Sequence, residues 1–504
     1  MAAPAIELRG ISKRFGPVVA NDRVDLVVEA GTIHGIVGEN GAGKSTLMNI
    51  LYGYHRADAG AIRIDGVPTR IARPIDAIRA GIGMVHQHFM LVATFTVLEN
   101  LLLGAEGGPL LAAGAARLRA ELARIGREHG LDVDPDARVG DLPVGLQQRV
   151  EILKALCRGA RVLILDEPTG VLTPQEADEL FRILAALRAQ GRTVLLVTHK
   201  LREIMAVTDR VSVMRGGRMV AHRRTAETSR EELAELMVGR KIQLRPDKRP
   251  VRPGRPVLTV RDLEVADDRG VRRVKGVSFE VRAGEIVGIA GVAGNGQSEL
   301  LEAIAGIRSA DRGEILIAGR PVRGASNARP RGVGHVPEDR LRMGLVGHLP
   351  ASENAILGYH RRRDYVAHGL LRRGRIVDTC AGWLERYDIR PRAPLMPALA
   401  FSGGNQQKLV VARELEHDPE LILAGQPTRG VDIGAIEFIH GRLLAMRDAG
   451  KAVLLVSVEL DEILALSDRV LVMFDGRIVG ELAAEEADER RIGLLMAGIA
   501  AEAA

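Results

Sequence analysis

The chain is written twice. GIVGENGAGKSTL at Gly35–Leu47 returns as GIAGVAGNGQSEL at Gly288–Leu300, and LILDEPTGVLT at Leu163–Thr173 returns as LILAGQPTRGVD at Leu421–Asp432. VLLVTHKLREI at Val194–Ile204 then returns as VLLVSVELDEI at Val453–Ile463, so motif order is kept and spacing nearly so. A repeat of this length is a duplicated domain and not a solenoid of short units. At 504 residues the chain is long enough to build two cores. Between the copies lies KIQLRPDKRPVRPGRP, whose prolines cannot continue a helix. The reading is a first domain over 1–240, a Pro/Arg-rich linker over 241–256, and a second domain over 257–504.

Within each copy, short β-branched runs such as VLILD and TVLLVT alternate with helical stretches, which predicts an α/β fold with a mixed, mostly parallel sheet flanked by helices. Leu118, Leu122 and Ile125 recur at helical spacing between the sheet motifs and predict an inserted helical sub-lobe. Hydrophobic residues at 46% and charged residues at 27% exclude a disordered chain. No apolar run reaches the roughly 20 residues of a spanning helix, and the first residues lack a signal-peptide pattern. A location in the cytosol, with no direct insertion into a membrane, is therefore expected. Cys157 and Cys380 suit a reducing compartment, and Cys157 shares a helix face with Val150 and Leu153. The net charge of +6 is thinly spread, and its one dense stretch, Arg240–Arg255, reads as linker, so nucleic acid is not an expected partner.

Gly38-Glu39-Asn40-Gly41-Ala42-Gly43-Lys44-Ser45 fits G-x-x-x-x-G-K-[ST], between the strand-like IHGIV and a helical run opened by Thr46. The pattern is a phosphate cradle, because glycines let backbone N–H groups converge on phosphate oxygens at a helix N-terminus. Lys44 is placed to reach the β- and γ-phosphates of ATP, and the Ser45 hydroxyl to ligate Mg²⁺. Asp166-Glu167 follow an apolar strand, where Asp166 would hold Mg²⁺ through water and Glu167 would polarise the attacking water. His199 follows strand Thr193–Thr198 as a sensor of the γ-phosphate. Gln87 follows GIGMV as a contact to metal and water, and Phe15 in ISKRFG is a candidate platform for adenine.

With these residues the chain resembles the ATP-binding cassette ATPases over nearly its whole length. Phe401-Ser402-Gly403-Gly404-Asn405-Gln406-Gln407 looks like that family's signature at the start of a helix. The resemblance implies domains paired head to tail, with the signature of one closing over nucleotide held by the other. The copies depart from the pattern unequally. Gln297 stands for Lys44, Gly425-Gln426 for Asp166-Glu167, Val458 for His199 and Glu338 for Gln87, whereas the first signature has decayed to Leu142-Pro143-Val144-Gly145-Leu146-Gln147. The expectation is one hydrolytic site, in which Ser402, Gly403 and Gly404 cap the cradle of Lys44, and one degenerate site.

Fused pairs of this kind resemble the ATPase subunits of bacterial monosaccharide and nucleoside importers. Val336-Pro-Glu-Asp-Arg340 and Gln426-Pro-Thr-Arg-Gly430-Val-Asp432 look like marks of that group, and MVHQHFMLV (84–92) is more similar to its nucleoside branch. The resemblance implies membrane permease subunits docking after Gln87 and Glu338, an extracellular substrate-binding lipoprotein, and a peripheral position on the cytoplasmic face of the membrane. Two other classes fit less well. A tandem-ATPase translation or repair factor keeps two complete sites and a long charged linker, and a regulatory scaffold has no use for a general base.

Overall fold

The computed structural model describes all residues except 1–2, 87–88, 105–110, 130, 171, 173, 242–245, 247, 251, 293, 323–331 and 500–504. The chain divides into two compact units, Met1–Ile242 and Gln243–Ala504.

The first unit carries strands β1 (Ile6–Phe15), β2 (Val18–Val28), β3 (Ile33–Gly38), β4 (Ala59–Ile64), β5 (Val67–Pro68), β6 (Ile82–Val85), β7 (Val162–Asp166), β8 (Thr193–Val197), β9 (Arg210–Arg215) and β10 (Arg218–Arg224). A six-stranded sheet runs β10-β9-β3-β8-β7-β6, parallel except for β10, and a smaller antiparallel sheet runs β2-β1-β4-β5. Every residue of β3, β7 and β8 is buried, as unbroken apolar runs in a sheet covered on both faces require. Alternating Ile6, Leu8, Leu26 and Val28 turn the inner face of the small sheet onto the helix Lys44–Tyr52, whose Leu47, Met48 and Leu51 complete one core. The sub-lobe inserted between β6 and β7 holds the helices Val97–Leu102, Leu111–His129 and Val144–Cys157. Leu122 and Ile125 of the second are buried, as their spacing predicts.

The second unit repeats this plan with β11 (Pro256–Ala266), β12 (Arg272–Arg282), β13 (Ile286–Ala290), β14 (Arg312–Ile317), β15 (Arg320–Pro321), β16 (Val333–Val336), β17 (Val366–Ala367), β18 (Leu370–Leu371), β19 (Leu421–Gly425), β20 (Ala452–Ser457), β21 (Arg469–Phe474) and β22 (Arg477–Ala483). Its main sheet, β16-β19-β20-β13-β21-β22, is the first unit's order read from the other end. Part of the expected linker is fastened to this unit. Lys248 Nζ lies 3.0 Å from Asp468, and the buried Arg447 donates from Nη2 to the Arg249 carbonyl at 2.8 Å and from Nη1 to Asp468 at 3.0 Å.

In the first unit β8 lies between β3 and β7, and Asp166 pairs in register with Val197. The loops after β3, β7 and β8 therefore leave the same sheet edge, so residues far apart in sequence converge there.

Candidate functional site

The loop after β3 turns into the helix Lys44–Tyr52 through Gly43, which sits at φ 99° and leaves the helix start without a side-chain cap. A Cβ on Gly43 would lie 2.2 Å from the Ala20 carbonyl oxygen, so both conformation and space demand glycine. Asn21 secures the turn by donating from Nδ2 to the Gly43 carbonyl at 3.1 Å. Nothing in the sequence marks Asn21 for this task, because its partner arises only from folding. Lys44 is buried and folds back over the loop, donating to the carbonyls of Gly38 at 2.8 Å and Glu39 at 3.0 Å. Burial pulls its ammonium below the ordinary lysine range, against the opposing pull of Glu167, Asp166 and Glu39. Asn40, Gly41 and Ser45 are exposed at the mouth, Glu39, Gly43 and Thr46 are half-buried, and Ala42 is buried.

Across from this loop, Asp166 ends β7 with its carboxyl near the Ser45 hydroxyl, which draws its pKa down. Burial raises its carboxyl above the ordinary range, with Glu167 adding and with Ser45 and Lys44 opposing. Glu167 adopts φ 49°, a left-handed conformation that costs a non-glycine residue energy and aims its side chain away from the strand direction. Its amide donates to the Val197 carbonyl at 2.8 Å, and its Oε1 meets His199 Nδ1 at 2.9 Å. Burial alone would raise the Glu167 carboxyl. The His199 bond, with His199, Lys44 and Lys200 nearby, reverses this and holds it below the usual glutamate value. Two neighbouring carboxyls are thus shifted in opposite directions. Behind them the buried Glu203 takes a hydrogen bond from Thr169, a second layer the sequence reading missed.

A hydroxyl, one acid and a phosphate loop fit Mg²⁺, which keeps most of its waters and takes few protein ligands. Consistent with that sparse donor set, the described residues contain no cluster of three or more His, Cys, Asp or Glu able to cage a metal. Gln87 lies outside the described residues. Phe15 ends β1 with its ring 43% exposed, edge-on to His55 at 5.2 Å and 5.5 Å from the Lys13 ammonium.

The second unit builds the same loop with different chemistry. Gln297 is buried and its Nε2 has no hydrogen-bond partner among the described residues. Ser298, the counterpart of Ser45, donates at 2.6 Å to Glu338. Burial raises that carboxyl against the Ser298 bond. Gln426 keeps the left-handed conformation of Glu167, at φ 46°, and its Oε1 accepts from the Val458 amide at 3.3 Å. Where Asp166 would be expected, a Cβ on Gly425 would lie 2.8 Å from Leu301 Cδ1 and 2.9 Å from Glu338 Cγ. The carboxylate is gone and its room is filled.

Ser402 caps the helix Gly403–Leu415 by position, and its hydroxyl accepts from Asn405 Nδ2 at 2.9 Å. The matching helix Val144–Cys157 starts from Pro143, which has no side-chain donor, with Val144 exposed.

A phosphate loop at the edge of a parallel sheet, built in both units and faced in the first by a polarised pair of acids, defines a tandem P-loop nucleoside-triphosphatase. The chain belongs to the ABC transporter family, which it matches over residues 21–170 and 274–429, once in each unit. Domains of this family are ATPases that bind ATP. The chain is 47% identical to the guanosine import ATP-binding protein NupO of Bacillus subtilis, with 98% of this chain and 97% of that one covered. It is 46% identical to the nucleoside import ATP-binding protein NupA of Lactococcus lactis, with 98% of each covered. It is also 46% identical to the glucose import ATP-binding protein TsgD13 of Haloferax volcanii, with 98% of this chain and 96% of that one covered. Among solved structures, an archaeal ribosome recycling factor, aABCE1, in complex with a stalk protein matches with a TM-score of 0.65 at 21% identity, covering 97% of this chain and 92% of that one, a likeness of fold alone.

Proposed function

We propose that the chain is the ATP-hydrolysing subunit of a nucleoside importer, with one competent site and one degenerate site. The observation that carries the first part is the array of Lys44, Ser45, Asp166, Glu167 and His199 at one sheet edge of the first unit. The nucleoside assignment rests on the similarity to the guanosine and nucleoside import proteins.

In this reading Lys44 leaves the Gly38 and Glu39 carbonyls for the β- and γ-phosphates, while the loop amides from Gly38 to Thr46 hold the remaining oxygens. Ser45 and Asp166 would hold Mg²⁺ together with Gln87, and the ion when bound neutralises charge on the β- and γ-oxygens. Glu167, kept ionised, takes the proton of the attacking water, and His199 fixes its orientation. Phe15 stacks on adenine. Ser402, Gly403 and Gly404 complete the site by capping the nucleotide of the first unit's cradle. What supports that pairing is complementarity, since the intact loop lacks an intact signature in its own unit.

No helix among the described residues is long and apolar enough to cross a membrane, so transport requires permease subunits. A cleft of about 140 Å³ lined by Tyr52, Tyr54, His86, Met90 and Glu151 has room for one side chain of a docked permease helix, and Met90, Val92 and Phe95 are exposed. The subunit would then sit peripherally on the cytoplasmic face, with a substrate-binding lipoprotein outside, and no nucleic acid takes part. The glucose import relative favours a second reading, a monosaccharide importer.

Two experiments test the proposal. Lys44→Ala or Glu167→Gln abolishes ATP hydrolysis by the purified chain, whereas Gln297→Ala leaves it within about twofold, since a neutral amide contributes little to phosphoryl transfer. Equal losses from Lys44→Ala and Gln297→Ala refute the division of labour. Uptake by vesicles holding the whole transporter, with nucleosides and sugars in competition, decides the solute.

A further inference from the structure

Two sequence marks of the second unit, Val336–Arg340 and Gln426–Asp432, have no part in the chemistry above, yet both close on the signature turn. Arg340 opens a single wide helical turn, Arg340–Gly344, capped by Asp339, whose Oδ1 accepts from the amides of Leu341 and Arg342 at 3.0 Å each. From there the guanidinium reaches Gln406 Oε1 with Nε at 3.3 Å and the Arg429 carbonyl with Nη1 at 3.0 Å. Gln406 is buried and passes the contact on, donating from Nε2 to the Phe401 carbonyl at 2.9 Å, immediately before Ser402.

The same two stretches lie close against both signature glycines. A Cβ on Gly403 would lie 2.7 Å from Arg340 Nη2, and one on Gly404 would lie 2.9 Å from Asp432 Oδ2. Asp432 is itself fixed, accepting from the Ala435 amide at 2.7 Å as the cap of the helix Ile433–Asp448. The turn Ser402-Gly403-Gly404 is gripped between a guanidinium and a carboxylate whose own partners are all backbone or buried amide. Two residues before Arg340, Glu338 holds the second phosphate loop through Ser298. The residue matching Arg340 in the first unit is Phe89, which has no donor and stands in the unit whose signature has decayed.

We propose that Glu338–Arg340 is a fixed strut from the degenerate phosphate loop to the signature turn, and that Arg340 is a positioning residue for hydrolysis in the site that Ser402 caps. The degenerate loop then serves as an anchor that needs no nucleotide, because Glu338 takes the serine hydroxyl that a metal ion would otherwise claim. This rests on the reading that the signature of the second unit serves the nucleotide of the first.

The test is steady-state ATP hydrolysis by the purified full-length chain carrying Arg340→Ala, Arg340→Lys or Ser402→Ala, with thermal unfolding measured on each. A strut that places the turn for the transition state makes Arg340→Ala lower kcat about tenfold, the worth of a hydrogen bond to a charged group, with KM for ATP within about twofold. Arg340→Lys recovers only part of the loss, since one ammonium cannot span Gln406 and Arg429 as a planar fork does. The proposal falls if Ser402→Ala abolishes turnover while Arg340→Ala stays within twofold of the native chain. It falls equally if the Arg340→Ala loss is shared between kcat and KM, comes with a fall in Tm and is fully restored by lysine, the pattern of a general packing role. If Ser402→Ala itself leaves turnover intact, the capped-site reading fails first and takes this one with it.

Discussion

Removing His199 gives the sharpest test of how the acids of the first unit divide their work. Glu167 and His199 meet at 2.9 Å with side chains only 19% and 23% exposed, so the bond is little screened by solvent. Burial is the largest influence on Glu167 and acts upward, and the His199 hydrogen bond is the largest influence acting downward. A hydrogen bond to a charged group contributes about 1.5–3 kcal/mol, and about 1.4 kcal/mol corresponds to one pH unit. His199→Ala should therefore move the Glu167 carboxyl upward by what that bond contributed, toward where burial alone would hold it. A general base works only when ionised, so the acid limb of the kcat–pH profile moves up by the same amount, whereas His199→Gln, which can still offer a neutral donor, moves it less. The stability sign runs the same way. A carboxyl held low stabilises the fold above its unfolded pKa, and that contribution is lost as pH falls through the folded value. The assay is ATP hydrolysis at saturating nucleotide over a pH range that extends below the ordinary glutamate value, so that the acid limb of the native chain is included. A variant whose plateau drops while its acid limb overlies that of the native chain would refute the argument, since His199 would then act on something other than Glu167.

Three further perturbations follow from the packing. Gly43→Ala sets a methyl 2.2 Å from the Ala20 carbonyl at φ 99°, so it should cost about 2–5 kcal/mol, read as an earlier urea transition together with loss of ATP binding. His34 is buried against Ser212 and His222, and burial first, then the charges of His222 and Arg210, push its imidazole down to about 4. The unfolded chain takes up that proton sooner, so stability falls by about 3 kcal/mol as pH drops from 6.5 to 4, and His34→Leu should flatten the pH dependence of the urea midpoint. Gly425→Asp, tried as a repair of the second site, should lower the unfolding temperature and return no activity to a Lys44→Ala chain, because the new side chain meets Leu301 Cδ1 and Glu338 Cγ.

The doubled sheet and the phosphate loop were legible in the sequence because each is local. The run Val162–Asp166 is apolar at every position up to the acid, and the glycines around Lys44 bend the chain wherever they occur. The inserted sub-lobe showed itself through Leu122 and Ile125 for the same reason. What stayed hidden was pairing over long sequence separations. Arg447 fastens the stretch around Arg249, read as open linker, but its partners lie about 200 residues apart and only the folded sheet brings them together. Asn21 under Gly43, Glu203 behind Thr169 and Arg340 on Gln406 are of the same kind. Composition separates Gln297 from Lys44, yet it does not disclose that Ser298 has taken Glu338 as its partner, which depends on where the loop after β16 lands.

The filled space beside Gly425 bears on how such a chain changes over generations. With Leu301 Cδ1 and Glu338 Cγ packed against a bare glycine, any larger residue at this position meets a neighbour already in its way. The return of an acid here would therefore demand a coordinated replacement of Leu301 or Glu338, not one change alone.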